Sequence, residues 1–477
     1  MNIPDNVVDL VKLAIAAGDV YSAAAVYEVA TGLDKKQLET RLFGKRRDAL
    51  LLARWEHTPT SVLQALANNT ANNMDSAVVV RLDKNPNTPS HALSKLYADG
   101  DKGGKASLSL SVLIAQHRHT PLSVLESIAK FDDDMESLLA VSKNPVANAD
   151  VLSILMARMV TSHKYDLLKK NVAANPSATS DLLEQIYFDS DAYTRAAVIG
   201  HVNCPQSLIA HAVNDDDVLV MRQLAADSRV SEVVLARLAV SKDHAVRVGV
   251  AANLAASKVL IRQLIHDDSD AVRRAVAARL DLTAANVKCL MSDSDHWVRL
   301  WLARNLTVSR KVLERLAVDH HADVRRAVAR NPSCPIGLLK VLAKDEIAWV
   351  RSAVAYQRKS PTALMLALAE ESDIDVLSGV ASNQHTPQRV LQRLTTSTEA
   401  DVRRGVILNH KAARNTLLPL LEDPYYLHRL MLVASTKLKD EDKWHLHEDP
   451  DFQVRFVVFR WFLNRLNKVI VQQMVSH

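Results

Sequence analysis

Asp319-His-His-Ala-Asp-Val-Arg-Arg-Ala-Val-Ala-Arg-Asn-Pro-Ser-Cys-Pro-Ile-Gly-Leu-Leu-Lys-Val-Leu-Ala-Lys344 decides the fold, because its pattern recurs along the chain. Its Arg325 belongs to a column with a constant step. From Arg247 through Arg273, Arg299, Arg325, Arg351, Arg403 and Arg429 to Arg455 every step is 26 residues, with Leu377 in one slot. Arg195 and Arg222 extend the column upstream at nearly the same spacing. A fixed period of this size marks one supersecondary unit copied many times.

The columns around the Arg define the unit. One residue earlier stand Val272, Val298, Val324 and Val350, and three residues later Val276, Leu302, Val328 and Val354. Residues four apart share one face of a helix, so these columns predict a short helix A with a buried stripe. The next position is small (Ala277, Ala303, Ala329, Ala355, Ala381), which lets a neighbouring helix approach closely. Asn253, Asn305, Asn331, Asn383 and Asn409 follow six residues after the Arg slot. They are expected to end helix A in the left-handed conformation that Asn tolerates. Thr58-Pro59, Thr88-Pro89, Thr120-Pro121, Cys334-Pro335, Ser360-Pro361 and Thr386-Pro387 share one phase. They predict a second helix, B, with the hydroxyl as cap and Pro at the first helical position. An acid stands six residues before most of the column Arg, as at Asp267, Asp293, Asp319, Asp345, Glu371, Asp423 and Asp449. It predicts an Asp–Arg ladder between adjacent repeats.

The string Asp323-Val-Arg-Arg-Ala-Val-Ala-Arg-Asn-Pro-Ser-Cys-Pro335 resembles the leucine-rich repeat variant, and more loosely the HEAT-like repeats, whose units also carry an Asp–Arg ladder. The resemblance covers roughly residues 47 to 460. It implies a right-handed superhelix, with units pairing an α-helix and a 3₁₀ helix. The longer unit here leaves helix B room to be fully α-helical. One protein of that family carries an iron–sulfur cluster in a cysteine-rich N-terminal segment. This chain lacks that segment, so no cofactor is carried over.

The expected fold is therefore all-α: a right-handed α-solenoid of about 15 two-helix repeats with distinct terminal caps. Residues 1–46 are expected as an N-terminal helical cap, 47–163 as diverged repeats without the column Arg, 164–436 as the regular array, and 437–477 as a last repeat with an aromatic capping helix. Ala98–Lys105, rich in Gly and charge, is the expected linker. Phe452, Phe456, Phe459 and Phe462 are four of the seven Phe, and with Trp461 they read as a cap or as a self-association patch.

Composition narrows function. Net charge is +5 and the pI about 8.9, which permits nucleic acid without demanding it. Three dispersed cysteines fit a reducing compartment. The absence of an apolar run of membrane-spanning length or a signal pattern makes a cytoplasmic protein with no membrane partner the expectation. No phosphate-binding Gly motif, HExxH, paired CxxC or nucleophile elbow is present, so neither catalysis nor a metal is expected.

What remains is surface. Two residues before the column Arg stand Trp297, Asp323 and Trp349 in three consecutive units, with Trp301 one turn beyond the first. With Arg299, Arg304, Arg326, Arg330, Arg351 and Arg404 they form the candidate binding residues. The favoured expectation is a non-enzymatic scaffold binding a macromolecule, protein first. The alternative is nucleic acid held by phosphate contacts along an Arg-rich face over residues 270–410. The mixture of Trp, Asp and Arg also resembles the cleft of HEAT-like alkylpurine DNA glycosylases, though their specific motif is missing. That resemblance implies a base-releasing activity with Asp323 as the acid.

Overall fold

The computed structural model describes residues 3–73, 76–101, 108–159 and 164–475. Among them every regular element is a helix: 34 α-helices and three short 3₁₀ segments, with no strand. The contacts divide the chain into two compact units, Met1–Val220 with Trp444–His477, and Met221–Lys443. Of the linker expected at 98–105, residues 98–101 complete the helix Ser90–Asp101, and 102–105 lie outside the described residues.

In the second unit the two-helix repeat is plain. A helices at His296–Arg304, Ala322–Arg330, Ala348–Tyr356 and Ile374–Ser382 alternate with B helices at Arg310–Leu316, Ile336–Leu342 and Thr362–Leu368. The B helices are α-helical, as the unit length predicts. Among the described residues of this unit, the last complete B element mixes α with 3₁₀, at Arg414–Leu417 with Leu418–Glu422. The chain is an α-solenoid of stacked repeats. Val272, Val276, Val298, Leu302, Val324 and Val328 are fully buried, so the paired columns are its core. Successive A helices touch through small residues. A Cβ added at Gly379 would lie 2.6 Å from Ala355 Cβ, and one at Gly405 2.7 Å from Ala381 Cβ. No ordinary carbon contact is that short, so backbone approach here requires Gly.

The Asp–Arg ladder is present, unbroken from Arg247 to Glu371 and resumed at Arg403, with Leu377 leaving one rung empty. Arg247, Arg273, Arg299, Arg325 and Arg403 each donate through Nε to a carboxylate 20 residues on, at 2.6–2.8 Å. Arg351 does the same with Glu371 at 3.0 Å, and its Nη2 donates to the same carboxylate at 2.8 Å. Asp267, Asp293, Asp319, Asp345 and Asp423 each serve two arginines. Asp293 accepts from Arg273 on its carboxylate, and from Arg299 Nη1 on its main-chain carbonyl at 2.7 Å. Its Oδ1 also takes the Asp295 amide at 2.9 Å, which fixes the turn into the next A helix. Where the acidic slot holds Ser241, Arg222 reaches Asp243 instead, at 2.7 Å. Arg195 pairs with Asp215. The ladder also starts one rung earlier than the Arg column: buried Lys169, 26 residues before Arg195, donates to the Asp189 carbonyl.

The Asn column does not do what its residue type suggests. Asn331 has φ −65° and ψ 124°, an extended backbone rather than the left-handed one, and its neighbours in the column match it. Its side chain explains the choice. Nδ2 donates to the carbonyls of Ala303 (2.7 Å) and Asn305 (3.1 Å) in the preceding repeat, and Oδ1 accepts the Ser333 amide at 2.8 Å. Those carbonyls close the preceding A helix and have no partner within it. Asn253, Asn305, Asn383 and Asn409 repeat the arrangement. Where the slot is not Asn, Arg279 and Gln357 fill it and reach the same class of carbonyl, and where it is Ser435 the nearby Lys437 does so. The column extends through Asn85, Asn144 and Asn175 into repeats that lack the Arg, so it is the more general register device. Asn331→Ala strands two buried carbonyls and an amide, and about 2–3 kcal/mol of stability is expected to go with them. The shift of the urea midpoint measures it.

The Thr/Ser–Pro signal is likewise reassigned. Pro121, Pro335, Pro361 and Pro387 sit at the N-cap rather than at the first helical position. The hydroxyl before them points backward. Thr58, Ser360 and Thr386 donate to the carbonyls of Leu52, Val354 and Val380 at 2.5–2.7 Å, closing the A helix instead of capping helix B.

In the first unit the two expected caps pack against each other. Phe452 stacks on Tyr21 with centroids 3.9 Å apart, and Phe456 meets Trp55 edge-on at 4.7 Å. Arg455 donates to Asp19 at 3.2 Å and to the Asp449 carbonyl at 2.6 Å. Asp19 also takes the Tyr21 amide at 2.9 Å, as Asp267, Asp293, Asp319, Asp345 and Asp423 take the amide two residues on. The first hairpin of the chain thus stands where the next repeat after Arg455 would. Phe456, Phe459 and Phe462 are buried by these contacts. That corrects the expectation of a self-association patch for these three, which the chain's own Trp55 and Trp444 cover, while Phe452 and Trp461 are half-buried.

One group in this unit is out of balance. Asp83 is buried and its Oδ1 has no hydrogen-bond partner. Burial pushes its carboxyl up to about 7, opposed only weakly by Lys84. A raised carboxyl contributes stability that is full below its unfolded value near 3.9 and lost as pH rises through 7. Asp83→Asn is therefore expected to stabilise the protein at pH 8 by about 2 kcal/mol, less than the full shift because the new amide must also be buried. At pH 4 the gain vanishes. Urea midpoints at the two pH values check this.

Candidate partner-binding surface

Arg299 and Arg351 belong to the ladder. Each guanidinium is spent on an acid of the next repeat and on main-chain carbonyls, which leaves no donor edge facing outward for a ligand. Arg274 is paired with Asp270 and lies 3.8 Å from Asp295. The Arg-rich face over 270–410 is thereby reduced. Arg304, Arg326, Arg330 and Arg404 make no ion pair among the described residues.

Three of these four lie together with the tryptophans. Trp297, Trp301 and Trp349 are 43%, 39% and 44% exposed, too open for core residues and too large to be left so without consequence. The Arg304 guanidinium lies 5.5 Å from the Trp301 ring centre, and that of Arg326 lies 5.8 Å from Trp349. Both separations are in the cation–π range. Arg330 is held below its ordinary pKa, first by burial and then by the charges of Arg326 and Arg304, with Tyr356 opposing. So Arg304, Arg326 and Arg330 repel one another with no acid to relieve them. Arg326 Nε is buried and has no hydrogen-bond partner.

The A-helix period places this group. Position two before the Arg slot carries Trp297, Asp323 and Trp349, and position five after it carries Arg304, Arg330 and Tyr356. Residues seven apart share a helix face, so the two columns line one face of consecutive A helices. Tyr356, 48% exposed, was missed by sequence reasoning. Its signal was the same 26-residue step that carries Arg304 to Arg330. Asp323 is partly exposed and lies 3.8 Å from His321. The acids Asp375 and Asp401 continue its column and are exposed. Arg404 is exposed two repeats beyond Trp349.

No family model and no curated protein matches this chain. Among solved structures it is similar to a leucine-rich repeat variant described as having a novel repetitive structural motif, at 22% identity over 52% of this chain and 87% of that one, with a TM-score of 0.33. It is similar also to UNC-45 from Drosophila melanogaster, at 16% identity over 97% of this chain and 79% of that one, with a TM-score of 0.25. The chain is a helical-repeat protein. That assignment rests on its own two ladders, one of Asp–Arg pairs and one of Asn side chains, which tie each repeat to the one before it. No helix among the described residues is long and apolar enough to cross a membrane.

Proposed function

We propose that this helical-repeat protein is a non-catalytic, cytoplasmic scaffold, and that the A-helix face around Trp297, Trp301, Arg304, Arg326, Arg330 and Trp349 binds an acidic segment of a protein partner. The observation that carries the reading is three guanidiniums without an acid beside three half-exposed indoles. Arg presents a planar fork that matches a carboxylate, and Trp with Arg is the pairing enriched where binding energy concentrates. Nucleic acid is the second reading, because guanidiniums beside indoles also suit a stacked base and its phosphate. The acids Asp323, Asp375 and Asp401 weigh against it, since they interrupt the basic stripe that a phosphate backbone would follow.

The test uses purified wild type, Trp349→Ala and Arg326→Glu as baits in lysate with and without nuclease treatment. A protein held by wild type and lost from both variants supports the reading, with Kd weakened by about thirtyfold for Trp349→Ala, equivalent to about 2 kcal/mol at a hot spot. Equal recovery on all three baits would remove this face from consideration. Recovery that disappears on nuclease treatment, with a gel shift that weakens steeply as salt rises, would transfer the assignment to nucleic acid.

A further inference from the structure

At the edge of the same array, two adjacent repeats bring three metal-ligating side chains together. His296 opens the A helix His296–Arg304, and His321 is the N-cap of the next, Ala322–Arg330. They are 25 residues apart, one short of the repeat, so stacking the units brings them side by side. Their rings lie 3.7 Å apart and within 12° of parallel. His321 Nδ1 is 3.8 Å from the Asp323 carboxylate. One ligand atom from each of His296, His321 and Asp323 lies within 4.8 Å of the other two.

Neighbouring groups of the same chemistry are committed elsewhere. Asp295 caps its helix through the Val298 amide at 3.1 Å. Asp319 is held by Arg299 at 2.6 Å, and His320 turns toward Arg299. His321 makes no side-chain cap bond although it stands at the N-cap, so its ring is not needed to hold the helix.

We propose that His296, His321 and Asp323 bind one divalent transition-metal ion of the zinc class, with at least one coordination position left open. Two imidazole nitrogens and one carboxylate oxygen suit zinc and its borderline neighbours, whereas calcium and magnesium take all-oxygen sets. Bonds of about 2.0–2.2 Å place tetrahedral ligand atoms about 3.3–3.6 Å apart. Binding requires the two stacked rings to rotate out of parallel so that their in-plane nitrogen lone pairs converge, and the partial exposure of all three side chains leaves room for that rotation. Three protein ligands make an exchangeable site rather than a closed structural one. The Trp297 ring centre lies 5.1 Å from that of His296.

The experiment titrates untagged full-length protein with Co²⁺ and follows visible ligand-field absorption, with Zn²⁺ as competitor. One equivalent of Co²⁺ that develops bands and is displaced by Zn²⁺ is expected. His321→Ala, His296→Ala and Asp323→Asn should each weaken binding by at least about 10–100-fold, the range that loss of even an outer-shell partner costs. His320→Ala, outside the cluster, should bind as wild type does. Far-UV circular dichroism confirms that each variant is folded. Absence of bands at one equivalent in wild type would overturn the proposal. So would affinity in all three cluster variants equal to that of wild type, since the metal would then sit on other histidines.

Discussion

Asp423→Ala is expected to cost about 3–5 kcal/mol, because it removes one partner of a buried ion pair and leaves the other charged. The Asp423 side chain is fully covered, and Arg403 donates to it at 2.6 and 3.1 Å. The Tyr425 amide donates to it at 2.9 Å, and His428 lies 3.1 Å away. With the carboxylate gone, Arg403 keeps only the carbonyls of Ser397 and Thr398. The contrast is the exposed Arg310–Glu314 pair, whose loss should change stability by about 0.5 kcal/mol or less. The pH dependence adds a second check. Burial alone raises the Asp423 carboxyl, but the hydrogen bonds from Arg403 and the Tyr425 amide, with the His428 ring beside it, outweigh burial and hold the group below the usual carboxylate range. A depressed carboxyl contributes stability present above its unfolded value near 3.9 and lost as pH falls through the folded value. Wild type and Asp423→Ala should therefore differ most in urea midpoint at neutral pH and converge in acid. A difference that persists unchanged to pH 2 would contradict the charge argument.

Phe462→Ala is expected to cost about 3–5 kcal/mol as well, by a different route. Its ring is fully buried and meets Trp444 edge-on at 4.9 Å. The loss combines transfer of the ring with a cavity that packed helices cannot close. The oligomeric state should not change, because the aromatics of the last helix face the chain's own Trp444, Trp55 and Tyr21. Light scattering with chemical denaturation separates the outcomes. A shift in mass without a loss of stability would restore an intermolecular role for these rings.

Much of the fold is legible in the residues. Val324, Val328 and Ala329 recur at their offsets because stacking carries each repeat into the surroundings of the last, and the Arg step carries the ladder with them. The surface is legible only as a list. Arg274, Arg304, Arg326 and Arg351 look alike in the sequence, yet two are neutralised and two are not. The difference lies in whether a neighbouring turn places a carboxylate within reach. His296 and His321 carry no metal-ligand spacing along the chain, and they meet only when repeats stack.

The amino-acid order on its own determined the repeat, its length, its buried columns and the acid–base ladder, because each of these follows from periodicity within about one unit of chain. Tertiary structure alone decided what crosses between repeats. The Asn side chains hold carbonyls 26 and 28 residues behind them rather than bending their own backbone. Arg455 completes its rung with Asp19, which no local pattern connects to it. Hydrogen bonds and ion pairs act over about 3 Å of space whatever the distance along the chain. Which partner a side chain finds is therefore settled by where the folded backbone brings it.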